Sequence, residues 1–264
     1  MDMKIGSVKE IEALLGRGEV DTELLIKLQA DSRSSVRKAV ERYFHRMQNL
    51  LKEHQRIQRL YDYERQFYNQ GHYHVAGVDE VGRGPIAGPV TVGAVILPPQ
   101  WECVGINDSK KLLPHKREQL FSEIMENAVA VSCVSLSEKE VDRLNIYQAA
   151  KRGMYNAIAG LSVHAEAVLI DAMPLRLDVP SQSIIKGDTL SASIAAAAII
   201  AKVTRDRMMC EYDKIYPEYG FSQHKGYLTE QHREAIEKYG PCPIHRRSFE
   251  PVRSMMIDSF LRFE

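Results

Sequence analysis

Ala76-Gly77-Val78-Asp79-Glu80-Val81-Gly82-Arg83-Gly84-Pro85-Ile86-Ala87-Gly88-Pro89 is the stretch on which the fold turns. A short apolar run leads into two adjacent carboxylates. Glycines, an arginine and prolines follow, and residues 90–97 then read as a mostly apolar strand. Side chains of a strand alternate between its faces, so Asp79 and Glu80 cannot both be ordinary surface residues of a half-buried strand. One of them is expected to face inward, where an unpaired charge is costly. A metal ion or a basic partner would compensate it. A charged turn is the bland alternative for a lone Asp-Glu pair, and the Gly-Arg-Gly-Pro directly after it argues against that.

Outward from this stretch the pattern alternates strands with helices. Residues 74–78 and 89–97 read as antiparallel neighbours, with Asp79 and Glu80 ending the first. Residues 107–111 form a polar turn, and Pro114 opens a helix to about residue 127. A third strand covers 128–136. Ser137-Glu-Lys-Glu140 is a capping box, and one or two helices run from it to about Gly160. Residues 165–170 form a strand ending at Asp171, and 182–185 a short strand ending at Lys186-Gly-Asp188. The helix expected over 191–212 is small and apolar all round in its first half, which marks it as buried. Further helices are expected over 229–239 and 252–260. The class is α/β, with a central mixed sheet covered by helices.

Residues 1–71 read differently and form a helical extension to a domain over 72–264. Ser7-Val-Lys-Glu10 is a capping box, with Gly16 as the expected stop. A second helix follows Asp21 and Thr22. Val36, Val40, Tyr43, Met47, Leu50, His54, Ile57, Tyr61 and Tyr68 then form one apolar stripe, which predicts a single long helix over 34–69. Its other faces mix Arg33, Arg37, Arg42, Arg46 and Arg56 with Glu41, Glu53 and Glu64. A solvated face and a phosphate-touching accessory surface are both open readings.

The chain has 264 residues, with 35 Lys plus Arg against 35 Asp plus Glu, so its formal net charge is zero. That argues against holding nucleic acid by bulk charge alone and leaves a local basic groove open. Four scattered cysteines suggest neither a zinc site nor a disulfide framework. The longest apolar run, residues 194–201, is too short to cross a bilayer. With no apolar segment behind basic residues at the N-terminus, a cytoplasmic location is expected, and nothing in the sequence demands more than a monomer.

The chemistry emerges when strand ends are compared. Asp79, Glu80, Asp171 and Asp188 all stand at or just beyond predicted strand ends, where open α/β sheets gather ligands. Carboxylates meeting there would repel each other unless cations neutralised them. Oxygen-only ligation suits magnesium or manganese and disfavours zinc. Two such ions can clamp a phosphodiester. A strand-end Asp on its own is as often a cap or turn residue, so the joint placement carries the argument.

The 76–89 stretch, Asn107-Asp-Ser-Lys-Lys-Leu112, Ile170-Asp171, Lys186-Gly-Asp188, the run from Ser193 to Lys202 with Thr204-Arg-Asp206, and His224-Lys-Gly-Tyr227 together resemble the ribonuclease HII family. The resemblance covers about residues 73–250. It implies a ribonuclease H-like fold with a five-stranded mixed sheet. It implies endonucleolytic cleavage of RNA in RNA/DNA hybrids and at single ribonucleotides in duplex DNA. Cleavage would fall on the 5′ side of the ribonucleotide, leaving 3′-hydroxyl and 5′-phosphate ends. Asp79, Glu80, Asp171 and Asp188 match the family's catalytic carboxylates, which hold two Mg2+ or Mn2+ ions. Gly82, Arg83 and Gly84 match its junction-reading loop, and Tyr227 its sugar-stacking tyrosine. Lys110, Lys111, Lys186 and Lys225 are candidate phosphate contacts. Ala198 departs from the serine many members carry. The extension is unlike the strand-rich N-terminal domain of ribonuclease HIII, whose loop after Asp-Glu also differs. A hybrid-binding module without activity and a 3′–5′ exonuclease of related fold are the rival readings.

Overall fold

The computed structural model describes residues 6–18 and 20–261, with side chains described as far as Met256. Two compact units form, one up to Arg56 and one from Ile57 onward.

In the first unit, α1 (Val8–Arg17) and α2 (Thr22–Gln29) pack with the start of α3 (Ser34–Leu60). Ile11, Leu15, Leu28, Val36, Ala39, Val40 and Tyr43 form its core. Ser7 and Glu10 make the expected capping box. The stop is Gly18, not Gly16: Gly18 adopts φ 76°, the left-handed region in which glycine ends helices. Arg42 pairs with Glu12, Arg46 donates to the Leu15 carbonyl, and Arg37 donates to the carbonyls of Asp31 and Ser32. These arginines tie the unit together.

The single helix expected over 34–69 is two. The α3 helix ends at Leu60, and α4 (Asp62–Tyr68) restarts beyond Tyr61. Tyr61 is buried, and its hydroxyl donates to the Trp101 carbonyl at 2.7 Å. Glu64, expected on a polar face, is wholly buried. Its Oε1 accepts from the Ser191 hydroxyl at 2.7 Å and the Ser193 amide at 2.9 Å. The break lets Glu64 cap the helix that begins at Ala192. Leu50, placed in the apolar stripe, is half exposed.

The sheet has the order β3-β2-β1-β4-β5 and is mixed. Strand β1 (Val75–Val81) lies antiparallel to β2 (Val90–Ile96) and parallel to β4 (Ala167–Asp171). Strand β3 (Ala130–Leu136) lies antiparallel to β2, and β5 (Ser181–Ile184) parallel to β4. Asp79 and Glu80 lie inside β1 and not beyond its end, because Glu80 still pairs with Val92 and Val81 with Thr91.

Helix α5 (Pro114–Asn127) has the expected bounds. Ser137 caps α6 (Glu138–Leu144), and α7 (Ile146–Ala159) follows. Met154, Ala149 and Ala150 of α7 pack on the face showing Ala76, Val78, Val92 and Ala94. The opposite face carries α8 (Ala192–Ile215), whose Ala195, Ala196, Ile199 and Ile200 pack with Val95 and Leu97. Strand residues of opposite parity thus meet different helices, as the pleat requires. Beyond α8 come the short α9 (Phe221–His224), α10 (Glu230–Tyr239) and α11 (Val252–Leu261). No described helix is long and apolar enough to cross a membrane.

Candidate active site

The register of β1 and β4 builds the site. Val78 pairs with Ile170, so Asp79 and Asp171, each the next residue, come side by side on adjacent parallel strands. Such neighbours lie about 5 Å apart in the sheet. Asp171 in turn pairs with Ile184, after which the chain enters the one-turn 3-10 helix Gly187–Thr189 that carries Asp188. The Gly187 amide donates to Asp171 Oδ1 at 2.7 Å and ties that turn to β4.

Asp79 and Glu80 are both withdrawn from water, one more than expected. Asp79 is buried, and its Oδ1 accepts from the Glu80 amide at 2.7 Å. The Glu80 side chain is 10% exposed, and its Oε1 meets Arg83 at 3.2 Å. Glu80 Oε2 is buried with no hydrogen-bond partner. Burial pushes the Asp79 carboxyl well above the usual carboxylate range, and Glu80, Asp171 and Asp188 push it further. Burial also raises Glu80, against the pull of Arg83 and Lys110. Asp171 is raised by burial, while the Gly187 amide and Lys110 oppose. Asp188 is raised by burial, then by Asp108 and Asp171. Asp79 therefore feels the other three carboxylates, as in a shared pocket.

Among the described residues, no three acidic, histidine or cysteine side chains are drawn together as a finished metal cage. Asp79 accepts from the Glu80 amide, Glu80 from Arg83, and Asp171 from the Gly187 amide. The donor set is all oxygen, and one buried carboxylate oxygen lacks a partner. These residues fit a hard divalent cation.

Asp108 is a fifth carboxylate near the cluster, brought by the 107–112 turn, where its charge raises Asp188 and Asp171. Its signal was the polar turn itself, Asn107-Asp108-Ser109-Lys110-Lys111. Lys110 acts on Glu80, Asp171 and Asp188. Lys111 instead reaches Asp108 at 3.7 Å. Lys186 takes φ 60° at the start of the 3-10 turn and is exposed. Lys225 is turned into its own loop, where its Nζ donates to Ser222 O at 2.6 Å. Gly82 takes φ 91°, and any Cβ there would strike Arg205 Nε at 2.3 Å. A Cβ on Gly84 would meet Tyr227 Cε1 at 3.5 Å, so the half-exposed tyrosine ring stands against the Gly-Arg-Gly turn.

The family model for ribonuclease HII matches residues 76–252, and that for the ribonuclease HII N-terminal domain matches residues 7–68. This chain belongs to the ribonuclease HII family. Family members are metal-dependent nucleases that hydrolyse the RNA strand of RNA/DNA hybrids, and the chain is such an enzyme. The ribonuclease HII of Geobacillus thermodenitrificans is 49% identical over 256 residues, covering 96% of this chain and 98% of its own. That of Lactobacillus johnsonii is 48% identical over 246 residues, covering 93% and 98%. Among solved structures, ribonuclease H2 from Pyrococcus horikoshii OT3 superposes with a TM-score of 0.62 at 27% identity, covering 72% of this chain and 99% of that one.

Beneath Tyr227 lies a pair of hydrogen-bonded histidines that no motif in the sequence marks. His232 Nδ1–H donates to the Tyr227 carbonyl at 2.9 Å, and His245 Nε2–H donates to His232 Nε2 at 3.0 Å. His245 Nδ1 is left to accept the Cys242 amide at 2.9 Å. His224 stacks on His232 with ring centroids 4.3 Å apart. Burial holds His232 and His245 well below the ordinary imidazole value, and His224 adds to it. The unfolded chain therefore binds protons that the folded chain refuses as pH falls below about 6.5. Stability from the pair is complete at neutral pH and is lost on acidification. Thermal melts at pH 7 and pH 5 should show the wild type losing on the order of 2 kcal/mol more than a His232→Gln/His245→Gln double variant. Equal losses would show that the pair is not what titrates.

Proposed function

We propose that this enzyme, besides cutting the RNA strand of hybrids, nicks duplex DNA on the 5′ side of a single embedded ribonucleotide. The ends it leaves are a 3′-hydroxyl and a 5′-phosphate. The observation that carries this is the meeting of Asp79, Glu80, Asp171 and Asp188 beside the Gly82-Arg83-Gly84 turn and the Tyr227 ring. A phosphate-cutting centre then lies next to a surface able to read a sugar. Asp79, Glu80, Asp171 and Asp188 are the residues that would hold two magnesium or manganese ions. Such ions, when bound, activate a water and neutralise charge on the departing 3′-oxygen.

The chain's own groups do the rest. Glycines at 82 and 84 let backbone donors and acceptors approach a 2′-hydroxyl, the group that separates ribose from deoxyribose. Arg83 lies across Glu80 and can swing to grip a phosphate with its fork of donors. Tyr227 offers a flat face to the next sugar. Lys110 is placed to meet phosphate beside the carboxylates, with Lys111 and Lys186 at the rim. We further assign residues 72–264 as the catalytic domain and 1–71 as an extension. The working state is a cytoplasmic monomer on nucleic acid, away from membranes.

A duplex carrying one ribonucleotide should be nicked once, at its 5′ side, in magnesium or manganese, while an all-DNA duplex stays whole. Asp171→Asn should abolish the nick and keep the fold, read by gel and by circular dichroism. Shortening of the all-DNA strand from its end would favour an exonuclease, and binding without cleavage in either metal a pure binding module.

A further inference from the structure

Arg246 is wholly buried beneath the Gly-Arg-Gly turn and touches none of the candidate catalytic carboxylates. Its guanidinium is spent on backbone. Nη2 donates to the Gly82 carbonyl at 2.6 Å, Nη1 to the Arg83 carbonyl at 3.0 Å and Nε to the Gly88 carbonyl at 3.0 Å. Its own amide donates to the Ile86 carbonyl at 2.8 Å. Phe249 closes the other side, with the guanidinium carbon 5.0 Å from the ring centre. Burying a cation is expensive, and carbonyl dipoles with the attraction of Asp142 and Glu138 offset it only in part. An arginine kept there on those terms is holding something in place.

What it holds follows from peptide geometry. In a trans peptide the carbonyl and the next residue's amide point in opposite directions. With the Gly82 and Arg83 carbonyls turned in toward Arg246, the amides of Arg83 and Gly84 are turned out, as a pair of donors. A cation bonded to each carbonyl also polarises the peptide and strengthens its N–H as a donor. Lysine could not do this. Its ammonium is a point charge, without the planar fork that spans separate carbonyls.

We propose that Arg246 is a positioning residue for ribose recognition. It aims the Arg83 and Gly84 amides at the nucleic acid, so selectivity for a lone ribonucleotide depends on a side chain that never touches it. The inference rests on the ribonucleotide-nicking reading above. The expected signature is a change in substrate preference. An all-RNA strand on DNA offers a ribose at every step, so a loosened turn costs it little. A single embedded ribonucleotide offers one register only.

The test measures kcat/KM for full-length enzyme on two substrates, a duplex with one ribonucleotide and a full RNA/DNA hybrid, and takes their ratio. Any loss of folded protein scales both rates alike and cancels. Arg246→Lys should lower the ratio at least about tenfold. Ile124→Ala, a truncation in the core on the α8 face of the sheet, away from Phe249, should leave it within about threefold. If Arg246→Lys melts below the assay temperature, Arg246→Gln takes its place under the same criterion. Equal falls on both substrates, or no fall on either, would overturn the proposal and leave Arg246 a packing residue. Wild-type enzyme that fails to nick at the lone ribonucleotide would instead overturn the underlying reading, and that shows before any variant is made.

Discussion

Asp79→Asn is expected to give a protein that melts higher and has lost nearly all cleavage. Asp79 is buried on the same strand as Glu80 and beside Asp171, and its carboxyl is pushed well above the usual range by burial and by Glu80, Asp171 and Asp188. A charge held there in the metal-free enzyme works against folding. Asparagine keeps the oxygen that accepts the Glu80 amide at 2.7 Å and removes the charge. The gain should be on the order of 1–2 kcal/mol near neutral pH, about 3–6 °C in Tm for a chain of this size. The sign with pH is set by the raised value: the folded state binds the proton more tightly than the unfolded chain. The strain is therefore present above the raised value and fades as pH falls toward the ordinary carboxylate range, so the gain should shrink at pH 5. Cleavage should drop at least about a thousandfold, the scale expected when several kcal/mol of metal-borne charge stabilisation is lost. Millimolar magnesium should raise the Tm of the wild type and not of Asp79→Asn. A variant that melts lower at every pH would mean that Asp79 stabilises the fold and is not a strained ligand.

The second large effect concerns Gly77, two residues earlier on β1. A Cβ there would sit 2.0 Å from the Ser193 carbonyl carbon and 2.2 Å from the Ile194 nitrogen, both backbone atoms of α8. Across the ladder, a Cβ on Gly93 would sit 2.4 Å from the Ala197 carbonyl oxygen. Helix and sheet thus touch backbone to backbone, with glycine on the strands and a run of alanines on the helix. Neither side can yield without moving a whole element, and that element carries the turn with Asp188 at its start. Gly77→Ala should cost more than about 4 kcal/mol and yield little folded protein. Gly16→Ala makes the matched control. It lies inside α1 with nothing within 4 Å of its Cβ, and should gain a few tenths to about 1 kcal/mol. A Gly77→Ala protein melting within a few degrees of wild type would show that α8 can lift off the sheet.

Much of this was legible in the linear chain, for reasons that are local. Capping boxes at Ser7 and Ser137 and a proline at the first turn of α5 mark helix starts through bonds made within a few residues. The run of small residues in α8 announced a buried helix because nothing larger fits against glycines on two strands. Asp79, Glu80, Asp171 and Asp188 could be picked out because acidic residues recur at strand ends. One long helix is what the sequence predicts, because the apolar period continues through Tyr61. The break serves Glu64, whose partners Ser191 and Ser193 lie far along the chain.

What the chain alone determined is a set of periods, caps and charges. These suffice for an α/β domain with a helical extension and for the acidic residues of a hydrolytic site. Tertiary structure decided which atoms meet. The β1–β4 register set Asp79 beside Asp171, and the 107–112 turn brought Asp108 to Asp188. Packing of the segments beyond α8 placed Arg246 and the His232–His245 pair under the turn and the tyrosine proposed to read the sugar. The physical reason is range. Caps and periodicity act over a turn of helix or a pair of strand residues, whereas a buried cation finds its carbonyls only after segments more than 150 residues apart have packed.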